Sequence, residues 1–109
     1  MERRSYERVG FLCRVALAVR PGAPPLEARS VDLSMGGAGI VTSAALQVGQ
    51  TIGLTFFLKD ARQQEVRDQI QGRVVNLKAD VDCNRVGVEF LEPLHESKNP
   101  ALVRKLLAL

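Results

Sequence analysis

Apolar and polar residues alternate from Phe11 to Arg20. Phe11, Cys13, Val15, Leu17 and Val19 fall on one face, and Arg14, Ala16, Ala18 and Arg20 on the other. A period of two is the signature of a strand with one buried face. Pro21-Gly22-Ala23-Pro24-Pro25 forbids regular pairing and makes a loop. The same rhythm then returns in short runs. Residues 26–34 read as a second strand with Val31 and Leu33 inward, which turns Asp32 and Ser34 outward together. Met35-Gly36-Gly37-Ala38-Gly39 breaks it, and Ile40-Val41 resumes it or starts another. Ile52, Leu54, Phe56 and Leu58 mark a further strand that ends in a turn near residues 59–64. Residues 65–78 form a longer one whose phase blurs at Val74-Val75, as a bulge there would produce. Val86, Val88 and Phe90 mark the last, after a turn at residues 80–84.

The tail changes period. Leu102, Val103, Leu106 and Leu107 recur at helical spacing, with Asn99 placed to cap and Pro100 at the first helical position. About six short strands followed by one helix predict a mainly β fold, a small six-stranded antiparallel β-barrel with a C-terminal α-helix. With 109 residues, the chain can bury roughly two-thirds of its unfolded surface, enough for one core without staples. The expected organisation is one domain over 1–109, with an arginine-bearing arm at 1–9, the barrel at 10–92 and the helix at 97–109.

Cys13 and Cys83 lack C-x-x-C spacing and stand in unlike contexts, so they read as reduced thiols. The charged first residues contain no apolar signal region, and no stretch approaches the ~20 apolar residues that span a bilayer. A cytoplasmic location without membrane insertion is the expectation.

Two polar clusters carry chemistry. Arg3-Arg4-Ser5-Tyr6-Glu7-Arg8 precedes the first strand, and its four-residue spacing puts Arg4 and Arg8 on one side of either a helical turn or an extended segment. Each guanidinium presents a planar fork that matches phosphate oxygens or the O6/N7 edge of guanine. Alone, the pair also suits a solvated basic arm. The second cluster is Asp32-Leu33-Ser34-Met35-Gly36-Gly37. Asp32 can accept both N1–H and N2–H₂ of guanine, Ser34 can donate to a phosphate or ring nitrogen, and Gly37 permits close backbone approach or positive φ. Alone, this pattern serves equally as an Asx- or Ser-turn that ends a strand.

Arg4–Arg8 as R-x-x-x-R ahead of the first strand, Asp32–Gly37 as D-x-S-x-x-G at the end of the second, Val86-Gly87-Val88-Glu89-Phe90 near the end and a terminal helix together resemble the PilZ domain family. The resemblance runs over essentially the whole chain. It implies a six-stranded barrel that binds the bacterial messenger cyclic di-GMP, with the arginine arm wrapping the ligand against the barrel wall. Position by position, Arg4 and Arg8 would hold phosphates and guanine faces, Asp32 and Ser34 would read a guanine edge and a phosphate, and Gly37 would allow close contact. Arg3, directly before the motif, resembles members that bind an intercalated ligand dimer. The implied role is a second-messenger receptor, of the kind that governs biofilm formation and motility, acting on a downstream protein partner.

Other chemistries find little footing. His95 is the only histidine and has no second ligand at zinc-type spacing, so a surface or capping role is expected rather than a metal site. No nucleophile–base arrangement can be assembled, no cofactor is implied beyond the ligand, and no enzyme is expected. Gly36-Gly37-Ala38-Gly39 lacks both the Lys-Ser/Thr of a phosphate loop and a surrounding strand–helix unit. The net charge of +3 admits an anionic partner. Nucleic acid is disfavoured, because aromatics are 5% and the bases of the chain are scattered beyond the arm. The alternatives to a receptor are a ligand-independent interaction adaptor and a small basic RNA-binding barrel.

Overall fold

The computed structural model describes residues 7–108. Six strands and one helix follow in order: β1 (Val9–Ala18), β2 (Leu26–Ser34), β3 (Gly37–Thr42), β4 (Thr51–Lys59), β5 (Glu65–Ala79), β6 (Asn84–Phe90) and α1 (Pro100–Ala108). Every pairing is antiparallel, and the sheet closes in the order β1-β2-β3-β6-β5-β4. The seam is β1 against β4, with Val15 opposite Phe56 and Leu17 opposite Leu54. Closure leaves no strand edge unpaired, so the ladder satisfies its own backbone groups. The barrel and helix expected from the sequence are both present. Ile40-Val41 belongs to a strand of its own, hairpinned to β2.

Inside lie Val15, Leu17, Leu33, Ile40, Ile52, Leu54, Phe56, Val74 and Val88, all essentially inaccessible. Branched and aromatic residues at every second position make this possible, since each strand sends alternate side chains inward. Leu102 and Val103 of α1 join the same core, whereas Leu107 stays 76% exposed.

Three register shifts reset the alternation. Between the pairs Gly10↔Asp32 and Cys13↔Ser30, β1 places Phe11 and Leu12 opposite the single Val31. On the other side of β2, Ser30 pairs with Ile40 and Asp32 with Gly39, leaving Val31 unpaired. The buried Ser30 repairs the break. Its hydroxyl donates to the Phe11 carbonyl (2.7 Å) and accepts from the Cys13 amide (3.0 Å). The third is where the sequence indicated: Val74 pairs with Val88 and Asn76 with Gly87, so Val75 is the extra residue.

The unpaired Val31 corrects the expected facing of β2. Ala28, Ser30 and Leu33 point inward, and Val31 is only half-buried. Ser34 does not share the outward face of Asp32, being 4% exposed. Its hydroxyl turns back into the β2–β3 turn and accepts from the Gly36 and Gly37 amides.

The helix starts at the expected first helical position, three residues inside the 97–109 segment assigned to it. Residues 97–99 are not helical, and α1 begins at Pro100. Asn99 sits at the capping position, its carbonyl accepting from the Val103 amide (3.0 Å). Its side chain, however, donates to the Gln69 carbonyl and accepts from the His95 amide. Asp68 of β5 supplies the cap, Oδ2 accepting the Leu102 amide at 2.8 Å. A carboxylate suits the positive end of a helix. His95 organises the turn ahead of the helix, with Nδ1 2.8 Å from the Ser97 hydroxyl.

Candidate functional site

On the outer wall, one cross-strand row runs Asp32 (β2), Gly39 (β3), Gly87 (β6), Asn76 (β5). The bulges create it. With strict alternation from the inward Ser30, Asp32 would face the core; the unpaired Val31 turns it out. Val75 does the same for Asn76, and with it Lys78, after the inward Val74.

The two central glycines make a floor on which polar side chains lie down. A Cβ on Gly39 would stand 2.9 Å from Asp32 Oδ2, and a Cβ on Gly87 would stand 2.7 Å from both Asn76 Nδ2 and Oδ1. Only glycine leaves room for these head groups. The result is a shallow cleft of about 280 Å³, walled by Arg8, Asp32, Asn76, Lys78 and Arg85.

Arg8, just ahead of β1, reaches into it. Nη1 donates to Asp32 Oδ1 at 2.6 Å, with the two side chains 48% and 28% exposed. The Gly39 amide donates to the same oxygen at 2.9 Å. Both bonds fall on Oδ1, so Oδ2 takes none among the described residues. Cations hold the remaining rim. Lys78 and Arg85 are direct partners across β5 and β6, both exposed, and neither joins an ion pair among the described residues.

Of the expected site residues, the structure brings Arg8 and Asp32 together in this cleft. Arg3 and Arg4 lie outside the described residues. Ser34 stands behind the wall and pins the turn. Gly37 has no positive φ; a Cβ there would run into the Val88 carbonyl oxygen, so its smallness serves the close approach of β3 to β6. Asn76, Lys78, Arg85, Gly39 and Gly87 were not expected as site residues from the sequence. The signal that points to the first two is the blurred phase at Val74-Val75, because a one-residue insertion reverses the facing of everything after it.

A larger recess of about 570 Å³ lies elsewhere, between the β4–β5 turn and α1, and holds none of the expected residues. Both cysteines are free thiols. Burial pushes the Cys13 thiol above its ordinary pKa, opposed by the Ser30 hydroxyl and a Phe57 backbone contact. Among the described residues no group of three His, Cys, Asp or Glu could hold a metal ion, and no helix is long and apolar enough to cross a membrane.

Comparison with known proteins agrees with this architecture. Residues 2–108 match the family described as PilZ domain. The fold resembles the structure of the Bacillus subtilis inhibitor of motility (MotI/DgrA), with a TM-score of 0.74 and 17% identity. That likeness covers 99% of this chain and 53% of the other, so the chain spans about half of that protein. It equally resembles the PilZ domain of YcgR from Escherichia coli, solved with c-di-GMP, at TM-score 0.74 and 18% identity. There the coverage is 99% of this chain and 92% of the other. No curated protein matches the sequence.

Proposed function

The chain belongs to the PilZ domain family, and from that premise we propose that it is a cyclic di-GMP receptor that relays ligand binding to a partner protein. The observation that carries this reading is the Arg8–Asp32 pair set over the Gly39–Gly87 floor. Asp32 is an acceptor-only group, and guanine offers parallel N1–H and N2–H₂ donors to it. Guanidiniums suit both the phosphodiesters and the purine faces. Arg3 and Arg4 extend the same set along the arm, and Ser34 acts through the turn that it holds.

In this reading the ligand exchanges with Arg8 at Asp32. Arg8 is released from the carboxylate to grip the dinucleotide, and the arm closes over it. The changed surface of arm and wall is what a partner reads. Arg3 adds the expectation of an intercalated ligand dimer, giving saturation above one ligand per chain. These are the acts of a binding domain, and no bond of the ligand is broken.

A calorimetric titration with cyclic di-GMP, against GMP and cyclic di-AMP, tests the proposal. Saturable heat with cyclic di-GMP and little with the controls is expected. Absence of heat and of any thermal shift, with the protein folded, would overturn it in favour of a ligand-independent adaptor.

A further inference from the structure

Asp32 occupies only one end of the row, and the other end is equally built. Asn76 lies over Gly87 as Asp32 lies over Gly39, and those glycines are direct partners on neighbouring strands. The two head groups therefore stand about one strand spacing apart, roughly 4.8 Å. Asp32 is an acceptor only, while the Asn76 amide also carries donors. The Watson–Crick edge of guanine runs donor, donor, acceptor from N2 through N1 to O6, over a comparable span. Asn76 makes no side-chain hydrogen bond among the described residues, so its donors are unspent.

Beside Asn76, Lys78 and Arg85 face each other across β5 and β6. Like charges directly opposite on a ladder are destabilising. The described residues place no carboxylate on either, yet both edge the cleft that holds Asp32. Two cations held at that point form a ready site for a phosphodiester.

We infer that Asn76, Lys78 and Arg85 form the second wall of the nucleotide cleft: Asn76 donates to O6 of the guanine held by Asp32, and Lys78 with Arg85 takes a phosphodiester. The inference rests on the cyclic di-GMP reading above and extends its site to β5 and β6. The row reads the whole guanine edge, with donors meeting Asp32 and the acceptor meeting Asn76. Adenine carries a donor, N6–H₂, at the place of O6 and nothing at the place of N2, so it fits Asp32 and Asn76 less well.

The test is calorimetry with cyclic di-GMP and cyclic di-AMP on the wild type, Asn76→Asp and the double variant Lys78→Ala/Arg85→Ala, each in a salt series. Asn76→Asp sets an acceptor against O6. It should weaken cyclic di-GMP at least tenfold, affect cyclic di-AMP less and so narrow the preference between them. The double variant should weaken both ligands alike, at least tenfold, and flatten the dependence of affinity on salt. Its ligand-free melting temperature should not fall, since a repulsion is removed. Wild-type binding with both variants within twofold of it, or with preference and salt dependence unchanged, overturns the inference and leaves the receptor reading intact. A wild type that binds no cyclic di-GMP overturns the reading and the inference together.

Discussion

Arg8 Nη1 donates to Asp32 Oδ1 across 2.6 Å, tying the residue just ahead of β1 to the wall of β2 that carries the acid. The pair is half open to water, so its contribution to stability is small. Its position gives it another consequence. A donor that approaches Asp32 Oδ1 competes with Arg8 for it, and displacing Arg8 frees a guanidinium beside the incoming group.

Replacing Arg8 with alanine should therefore separate stability from binding. An exposed pair contributes up to about 1 kcal/mol, whereas a charge-assisted bond to ligand is worth on the order of 1.5–3 kcal/mol. Arg8→Ala and Asp32→Ala should each weaken cyclic di-GMP by ten- to a hundredfold, roughly that energy converted. Melting temperatures should stay close to wild type. Calorimetry and a thermal melt on the same samples check both parts, and undiminished affinity in both variants would refute the assignment.

Gly37 and Gly39 should differ sharply when changed to alanine. At Gly39 the new Cβ meets the Asp32 carboxylate, a side chain that can swing aside. Gly39→Ala should stay folded and lose ligand. At Gly37 it meets the Val88 backbone carbonyl, which cannot move without parting β3 from β6. Gly37→Ala should fold poorly or melt far lower. Circular dichroism with a ligand titration distinguishes them, and equal behaviour would contradict the geometry.

Asp68→Ala removes the cap of α1 and leaves the Leu102 amide buried without a partner. A lost cap with a stranded donor costs about 1–3 kcal/mol. Each kcal/mol lowers the melting temperature of a domain near this size by roughly 4–8 °C. Asn99→Ala should leave that amide bonded. If the two variants melt alike and both near wild type, Asp68 is not the cap.

Ser30→Ala should cost more than its exchange of one hydroxyl suggests. It strands the Phe11 carbonyl and the Cys13 amide at the bulge, each a buried or half-buried backbone group. About 1–3 kcal/mol for each group left unsatisfied is the expected scale. Chemical denaturation measures it, and a loss under about 0.5 kcal/mol, the ordinary range of surface substitutions, would show that the bulge does not need Ser30.

The raised pKa of the Cys13 thiol sets the sign of an alkaline effect. The folded state holds this proton more tightly than the unfolded chain. Its contribution is therefore complete below the unfolded thiol's pKa and is lost as pH rises through the folded one. Wild type should lose stability faster than Cys13→Ala across that alkaline window. Parallel pH profiles for the two would contradict it.

Much of this was legible in the residues. Alternation from Phe11 to Val19, and its return through Ile52 to Leu58, defines strands by itself, because a half-buried strand needs only local chemistry. Pro-rich and Gly-rich breaks set the turns, and the change of period at Leu102 set the helix. The motif order placed Arg8 and Asp32 in one site. Val74-Val75 even revealed its bulge, since two neighbouring apolar residues cannot both face inward on a regular strand.

What tertiary structure decided depends on partners far along the chain. Asp32 faces outward because Val31 is left unpaired between β1 and β3, a matter of register among three strands. Ser34 is buried in a turn that the segment after β6 covers, with the Leu94 amide donating to the Met35 carbonyl. Asp68 caps a helix thirty-four residues away because β5 runs beneath its first turn. Asn76 joins Asp32 in one row because β3 and β6 meet at two glycines. Periodicity reports what each residue's own strand prefers; which side chains share a wall is set only when the strands pair and the barrel closes.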